Sequence, residues 1–175
     1  MTSDDHRTDA EAYRLLMFDL AGPGDPSGAM ARAPGEVRTI VTSAGEHLRT
    51  RPAAGEWSVI ELVGHMLDAE LVVGNRLRRV LYETDVTLPG FDQDVWVQAG
   101  AYNDADPEPL LAALASLRPI TIAVWQRSTP EQRAQVGLHA ERGHESAETI
   151  YRMLAGHDRF HLEQMRATLE SVRSR

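Results

Sequence analysis

Apolar residues recur every three to four positions in four long segments of this 175-residue chain, and this spacing predicts α-helices. The predicted main helices cover about residues 26–44, 58–82, 107–127 and 147–172. A shorter helix is predicted over about residues 8–20, where Thr8 and Glu11 fit a capping box. No segment alternates apolar and polar residues for long enough to indicate a β-strand. The pattern therefore predicts an all-α protein.

The connections between the predicted helices indicate how they are arranged. Ser58 and Glu61 form a second capping-box pattern, which marks a clear start for the second main helix. Residues 83–105 then form a long connection without clear periodicity, which is uncommon in a compact domain and often functional. We therefore predict a four-helix bundle with a long crossover between the second and third main helices. We treat residues 1–175 as one domain, with residues 1–24 as an N-terminal extension.

Composition narrows the class of protein. The formal net charge of −8 argues against a nucleic-acid partner, because nucleic-acid-binding proteins usually present a basic surface. No continuous apolar run approaches the length of a membrane span, and the acidic N-terminus is unlike a secretory signal. We therefore expect a cytoplasmic protein without a membrane partner. The chain has no cysteine, so a thiolate zinc site is excluded and any thiol chemistry needs a thiol from a substrate.

The last predicted helix carries two histidines at a spacing suited to metal binding. His157 and His161 are four residues apart, which places both imidazoles on one helix face. This spacing also arises by chance, so the pair needs a third ligand. His65 lies in the apolar band of the second main helix and is the natural candidate. Three neutral imidazoles leave coordination positions open, as in catalytic sites, and we predict a divalent metal here. A buried histidine bonded to a carbonyl is the alternative for His65.

Polar residues near these histidines are candidates for supporting roles. Asp68 and Glu61 share the helix face of His65, and a ligating histidine usually donates its second ring N–H to such an acceptor. A solvated helix face is the alternative for both. Gln164 lies one turn beyond His161 and either lines the pocket or packs in the interior. We predict catalytic roles for Asp68 and Gln164.

Three other residues are expected to lie outside the site. Phe160 is expected in the core because it falls within the inner stripe of the last predicted helix. His139 and His144 lie in a glycine-containing segment, residues 131–145, which is predicted to be a loop. We therefore expect both histidines at the surface.

Several motifs, taken together in this order and spacing, resemble those of a known family. They are Trp57-Ser58 with Glu61, His65-Met66-Leu67-Asp68, the segment Leu88-Pro89-Gly90-Phe91-Asp92-Gln93-Asp94-Val95-Trp96, and His157-Asp158-Arg159-Phe160-His161. They are similar to the DinB/YfiT-like superfamily, and most closely to its YfiT-like branch of metal-dependent hydrolases. The resemblance covers about residues 26–172.

The resemblance implies a four-helix bundle, usually a homodimer, in which zinc or nickel is bound by three histidines. These map onto His65, His157 and His161. Characterised relatives in this family include S-transferases that use low-molecular-weight thiols such as bacillithiol or mycothiol. The YfiT-like branch often has further histidines beside and after the last ligand, where this chain has Phe160 and Gln164. The pocket surface therefore differs from that of the branch.

These observations favour a metal-dependent enzyme that acts on a small-molecule substrate. The first hypothesis is an S-transferase, in which the metal lowers the pKa of an external thiol cosubstrate. A hydrolase that uses metal-activated water is the second. A non-enzymatic, metal-binding protein of the stress response is the third.

Overall fold

Helices make up most of the computed structural model, which describes the backbone of residues 3–175 and the side chains of residues 10–175. They are α1 (Ser3–Ala21), α2 (Ser27–Ala44), α3 (Val59–Tyr82), α4 (Gln93–Ala99), α5 (Pro107–Arg127), α6 (Pro130–Ala134) and α7 (Ala147–Arg173). The four-helix bundle consists of α2, α3, α5 and α7, which pack against one another. The predicted all-α class and bundle are confirmed.

The start of α3 follows the predicted capping box. The side chain of Ser58 accepts a hydrogen bond from the N–H of Glu61, and the Glu61 carboxylate accepts one from the N–H of Ser58 at 2.9 Å. Such a cap stabilises a helix by about 1 kcal/mol. It defines the start of the helix two turns before His65, and thereby the direction in which that imidazole points.

The connection between α3 and α5 is the predicted long crossover, and it has structure of its own. It contains the short strand β1 (Thr87–Leu88), α4 and a 3-10 turn at Tyr102–Asp104. Asp92 caps α4 by accepting a hydrogen bond from the N–H of Val95 at 3.1 Å. The ring of Tyr102 packs on Gly64 of α3, where a Cβ would lie 2.2 Å from the ring. The absence of a side chain at Gly64 thus lets the crossover contact the bundle beside His65.

A small sheet corrects the prediction that the chain has no strand. In addition to β1 it contains β2 (Val136–His139) and β3 (Gly143–Ser146). β1 pairs with β2 in parallel, and β2 pairs with β3 antiparallel. The prediction of a loop over residues 131–145 is therefore also wrong, since α6, β2 and β3 lie there. Strands of two to four residues are too short for an alternating pattern to stand out in the sequence.

The N-terminal helix packs along the last helix of the bundle. Met17 of α1 is fully buried, and a Cβ at Gly156 of α7 would lie 2.0 Å from the carbonyl oxygen of Met17. The two backbones therefore touch at this point. α1 begins at Ser3, upstream of the start predicted at Thr8, whose side chain lies outside the described residues.

The bundle core consists of two apolar clusters with a charged layer between them. One cluster includes Val63 and Leu114, and the other includes Leu77 and Trp125. Along α5, the fully buried Arg118 lies between the residues of the two clusters. By length and composition α5 could cross a membrane, but it packs against α2 and α3 and its buried arginine is paired within the bundle. We therefore assign α5 to the helical bundle.

Candidate functional site

The three predicted metal ligands lie together inside the bundle. One ring nitrogen from each of His65, His157 and His161 lies within 4.8 Å of the corresponding atoms of the other two. The Nε2 atoms of His65 and His157 are 2.9 Å apart. His65 comes from α3, whereas the other two come from successive turns of α7. The bundle thus brings together residues that are 92 positions apart in sequence.

Burial keeps these imidazoles neutral. It lowers the pKa of His65 to about 3, with a further contribution from His161, and lowers the pKa of His161 to about 4. Burial, together with the neighbouring imidazoles and Arg118, also lowers the pKa of His157 well below its ordinary value. A neutral imidazole offers a nitrogen lone pair, which is the form that binds a metal ion.

The hydrogen bonding within the cluster fits a cation between the rings. Of the two facing Nε2 atoms of His65 and His157, only one can donate a hydrogen bond to the other. The Nδ1 atoms of the same two rings are buried, and neither has a hydrogen-bond partner among the described residues. A divalent ion at the two facing Nε2 atoms would take up both lone pairs and place the ring hydrogens on the Nδ1 atoms.

Gln164 contacts one ligand directly. Its Oε1 atom lies 2.8 Å from Nδ1 of His161, which precedes Gln164 by one helical turn. An amide oxygen only accepts, so Nδ1 carries the hydrogen and the lone pair of His161 is on Nε2. Gln164 does not line the adjacent cavity, so it acts on the site through its contact with His161. A direct role in catalysis remains a prediction.

The two carboxylates expected beside His65 bind other groups. Asp68 accepts a hydrogen bond from the Tyr102 hydroxyl at 2.7 Å, and burial raises the pKa of this carboxyl. The Glu61 carboxylate binds the N–H of Ser58 and the guanidinium of Arg51. The expected hydrogen bonds to His65 are therefore not formed. The alternative of a solvated helix face is also wrong, because both side chains are buried.

A cavity of about 260 Å³ opens beside the histidine cluster. The cavity wall from α3 contains His65, Ala69, Val73 and Arg76, and the wall from α7 contains Met153, Leu154 and His157. The crossover, the β2–β3 hairpin and Tyr13 of α1 line the other sides. The wall next to the imidazoles is apolar, whereas the part formed by the hairpin is polar. Such a cavity suits a small molecule of mixed character.

Two expectations about aromatic positions are wrong. Phe160 is 39% exposed, because it lies on the outer side of α7. Its ring is perpendicular to that of His161, at a centroid distance of 5.1 Å. His139 is only 1% exposed, because the pleat of β2 turns it toward the cavity. His144 is exposed, as predicted.

A buried ion-pair network joins the helices that carry the histidines. Arg118 of α5 donates to both oxygens of Asp158 on α7, at 2.5 and 2.9 Å. Its Nε atom lies 3.1 Å from a carboxylate oxygen of Glu70 on α3. Asp158 directly follows His157, so this network holds α3 and α7 in the register that brings the imidazoles together.

Sequence reasoning missed Arg76, Arg118 and His139. A signal existed only for Arg76, which follows His65 by 11 residues on the same helix. Eleven residues make about three helical turns, so the two side chains share a face. His139 gave no signal, because its burial depends on strands too short to detect.

Comparisons with known proteins agree with this architecture. A sequence profile of the DinB superfamily matches residues 29–165. The protein OB0413 of Oceanobacillus iheyensis, named as a proposed metal-dependent hydrolase, is 27% identical over 133 residues, which are 76% of either chain. YfiT from Bacillus subtilis is described as a candidate metal-dependent hydrolase with an unusual four-helix bundle topology. Its solved structure has a TM-score of 0.77 and 21% identity, and the match covers 85% of this chain and 84% of that one.

Proposed function

Because the chain belongs to the DinB superfamily and buries three neutral imidazoles beside a cavity, we propose that it is a metal-dependent enzyme for small-molecule substrates. His65, His157 and His161 would hold a divalent ion, zinc or nickel. When bound, such an ion supplies a Lewis acid that lowers the pKa of a thiol or water molecule at its open side. The convergence of the three imidazoles is the observation that carries the proposal.

The surrounding residues prepare this site in defined ways. Gln164 keeps the hydrogen of His161 on Nδ1 and so directs the lone pair inward. The ring of Trp57 packs against that of His65 at a centroid distance of 5.0 Å and limits its rotation. On the cavity side, Ala69 and Met153 give the wall beside the imidazoles an apolar surface.

The same apolar wall favours an external thiol as the nucleophile. Hydrolysis of an ester or amide usually needs a general acid to protonate the leaving group. Among the cavity-lining residues with described side chains, the carboxylates are Glu141 and Glu145, which belong to the hairpin and not to the helices beside the imidazoles. A thiol that has lost its proton to solvent can attack an electrophile whose leaving group departs as an anion, and this step needs no general acid. We therefore propose S-transfer from a low-molecular-weight thiol, such as bacillithiol or mycothiol.

Hydrolysis is the second candidate, since the names of both relatives propose a metal-dependent hydrolase. Turnover of monochlorobimane with an added thiol, by the metal-loaded protein, would support the first candidate. Turnover of a test ester or amide without thiol would support the second. If neither substrate is turned over while the metal is retained, the enzymatic proposal fails and a non-enzymatic metal-binding role takes its place.

Metal binding itself has a direct test. Protein purified without a histidine tag should contain about one equivalent of divalent metal by elemental analysis. His161→Ala should lose this metal, whereas His144→Ala should keep it, because His144 is exposed and outside the cluster. Full occupancy in the His161→Ala protein would overturn the ligand assignment.

The assembly is a separate proposal that rests on the resemblance to the family. We propose that the protein is a homodimer in the cytoplasm, with a small molecule as its substrate and with neither nucleic acid nor a membrane as a partner. Light scattering coupled to gel filtration measures the mass in solution. A measured mass equal to the 19.4 kDa of one chain would contradict the dimer.

A further inference from the structure

We infer that the same cavity contains an anion subsite, formed by Arg76 and His139, which binds a carboxylate or phosphate group of the substrate. Both side chains line the cavity and both are buried, with 5% and 1% of their surface exposed. The inference rests on the proposed function in one respect: the anion is taken to be one end of the small-molecule substrate. The binding of the anion itself does not require the metal.

The backbone of the hairpin determines the hydrogen-bonding state of His139. Its Nδ1 atom accepts hydrogen bonds from the N–H groups of Glu141 and Arg142, at 3.2 and 3.3 Å. Burial, together with Arg142 and Arg76, lowers the pKa of His139 to about 4, so the ring is neutral. The ring hydrogen is therefore on Nε2. This atom is buried and has no hydrogen-bond partner among the described residues, and the residue itself lines the cavity. Its N–H is therefore an unused donor at the cavity wall.

Arg76 provides the positive charge of the subsite. One of its terminal nitrogens donates to the carbonyl oxygen of Pro89, and the guanidinium lies 5.8 Å from the ring centroid of Phe91. These two contacts orient the guanidinium but do not neutralise it. Its Nε atom is buried and has no hydrogen-bond partner within the described part of the chain. A buried arginine with unused donors is well suited to bind an oxyanion.

The other charged groups around the cavity leave these donors available. Arg142 binds both oxygens of Glu145, at 2.5 and 3.0 Å, and this pair is internally neutral. Glu141 is exposed and its carboxylate lies against Gly90, without an ion pair to Arg76 among the described contacts. Burial lowers the pKa of Arg76, whereas the carboxylates of Glu145 and Glu141 raise it through space and partly offset the charge of the guanidinium. Arg76 and His139 nevertheless offer only donors, and an acceptor carrying negative charge complements these donors.

The position of the subsite defines the shape of the substrate. Arg76 lies 11 residues after His65 on α3, which corresponds to about 16 Å along the helix axis. Arg76 and His65 line the same cavity, which therefore extends along α3 from one residue to the other. A substrate that fits would be elongated, with its reactive group at the histidines and its anionic group at Arg76.

The test uses the full-length protein and two simple anions. Acetate and inorganic phosphate are titrated separately while the ring-nitrogen chemical shifts of His139 are followed by NMR, with acetamide as the uncharged control. We expect saturable shifts with one or both anions and none with acetamide. The anion that binds more tightly identifies the group recognised. The inference is overturned if neither anion saturates up to roughly 0.1 M, or if acetamide binds as well as acetate.

A matched pair of variants tests the role of Arg76. Arg76→Met should weaken anion binding about tenfold or more. Arg79→Met is the control, because Arg79 also donates to a crossover carbonyl, that of Thr87, but lies outside the cavity. Equal losses in the two variants would contradict the subsite. Arg76→Lys keeps the charge and should retain part of the binding. If the variants fail to fold, the comparison of acetate with acetamide on the unmodified protein still tests the anion subsite.

Metal content separates this inference from the proposed function. Arg76→Met should keep its metal while it loses anion binding, whereas His161→Ala should do the reverse. Anion binding that survives in metal-free protein supports the subsite even if no metal site exists. If the protein binds metal but the chemical shifts of His139 do not respond to anions, the anion subsite is overturned and the proposed metal site is not.

Discussion

The side-chain oxygen of Gln164 lies 2.8 Å from Nδ1 of His161, and this contact determines which nitrogen of the ring faces the cluster. In metal sites such a partner orients the ring and makes the ligand more basic. A glutamine one turn after the second histidine of the pair therefore belongs to the site, although it does not line the cavity.

Removing this acceptor should weaken metal binding. Gln164→Leu leaves Nδ1 of His161 without a partner, and we expect metal affinity to fall about 10- to 100-fold. Gln164→Glu keeps an acceptor at the same position and should retain affinity. Competition with a fluorescent chelator measures both values. An unchanged affinity in Gln164→Leu would show that the hydrogen bond has no part in metal binding.

Metal should also stabilise the fold, because the ligands come from two helices. An ion at about 100 times its dissociation constant stabilises the native state by about 2.7 kcal/mol, which corresponds to roughly 5–10 °C in Tm for a chain of this size. We expect this increase when zinc or nickel is added to chelator-treated protein in a thermal melt. His161→Ala should show no increase. An equal increase in the Tm of His161→Ala would show that the ion binds at another site.

The buried arginine should be essential to stability. Arg118→Met leaves the carboxylates of Glu70 and Asp158 buried without their cation, and we expect a loss of about 3–5 kcal/mol in the free energy of unfolding. Arg38→Met removes an exposed ion pair with Glu108 and should cost less than about 1 kcal/mol. Urea unfolding measures both. Similar losses in the two variants would argue against a special role for the buried network.

The loss in Arg118→Met should depend on pH. Burial already raises the pKa of Asp158 to about 6 in the folded protein, against the opposing effect of Arg118, and removing Arg118 raises it further. A carboxyl whose folded-state pKa is raised destabilises the fold at high pH, and this penalty disappears as pH falls through that pKa. The difference between the variant and the unmodified protein should therefore shrink from pH 8 toward pH 5. A difference that is constant or grows would contradict the assignment.

The contact between α1 and α7 should not tolerate a side chain at its closest point. Gly156→Ala places a Cβ against the backbone of Met17, and we expect a loss of about 1–3 kcal/mol in stability as α1 is displaced. Gly35→Ala is the control, because this exposed helical glycine has no neighbour within 4 Å. That change should stabilise by about 0.5–1 kcal/mol. Destabilisation by both changes to the same extent would argue against the backbone contact.

Most of the histidine cluster was accessible from the sequence. His157 and His161 are four residues apart on a helix with a strong apolar stripe, and His65 lies at an inward position of another. Periodicity and caps are local properties, so the faces of both helices follow from nearby residues. The role of Asp68 was less accessible, because its partner Tyr102 comes from the crossover and meets α3 only where Gly64 leaves room.

The sequence by itself determined the helices, their inward faces and the three histidines that those faces share, because each depends on spacing within a single segment. Only the tertiary structure decided that Arg118 is neutralised within the core while Arg76 is left without a carboxylate partner among the described residues. The tertiary structure also decided that His139 lies at the cavity, because the strand that carries it is too short to be predicted from the sequence. These outcomes depend on which distant segments pack together, and local residue patterns do not encode that packing.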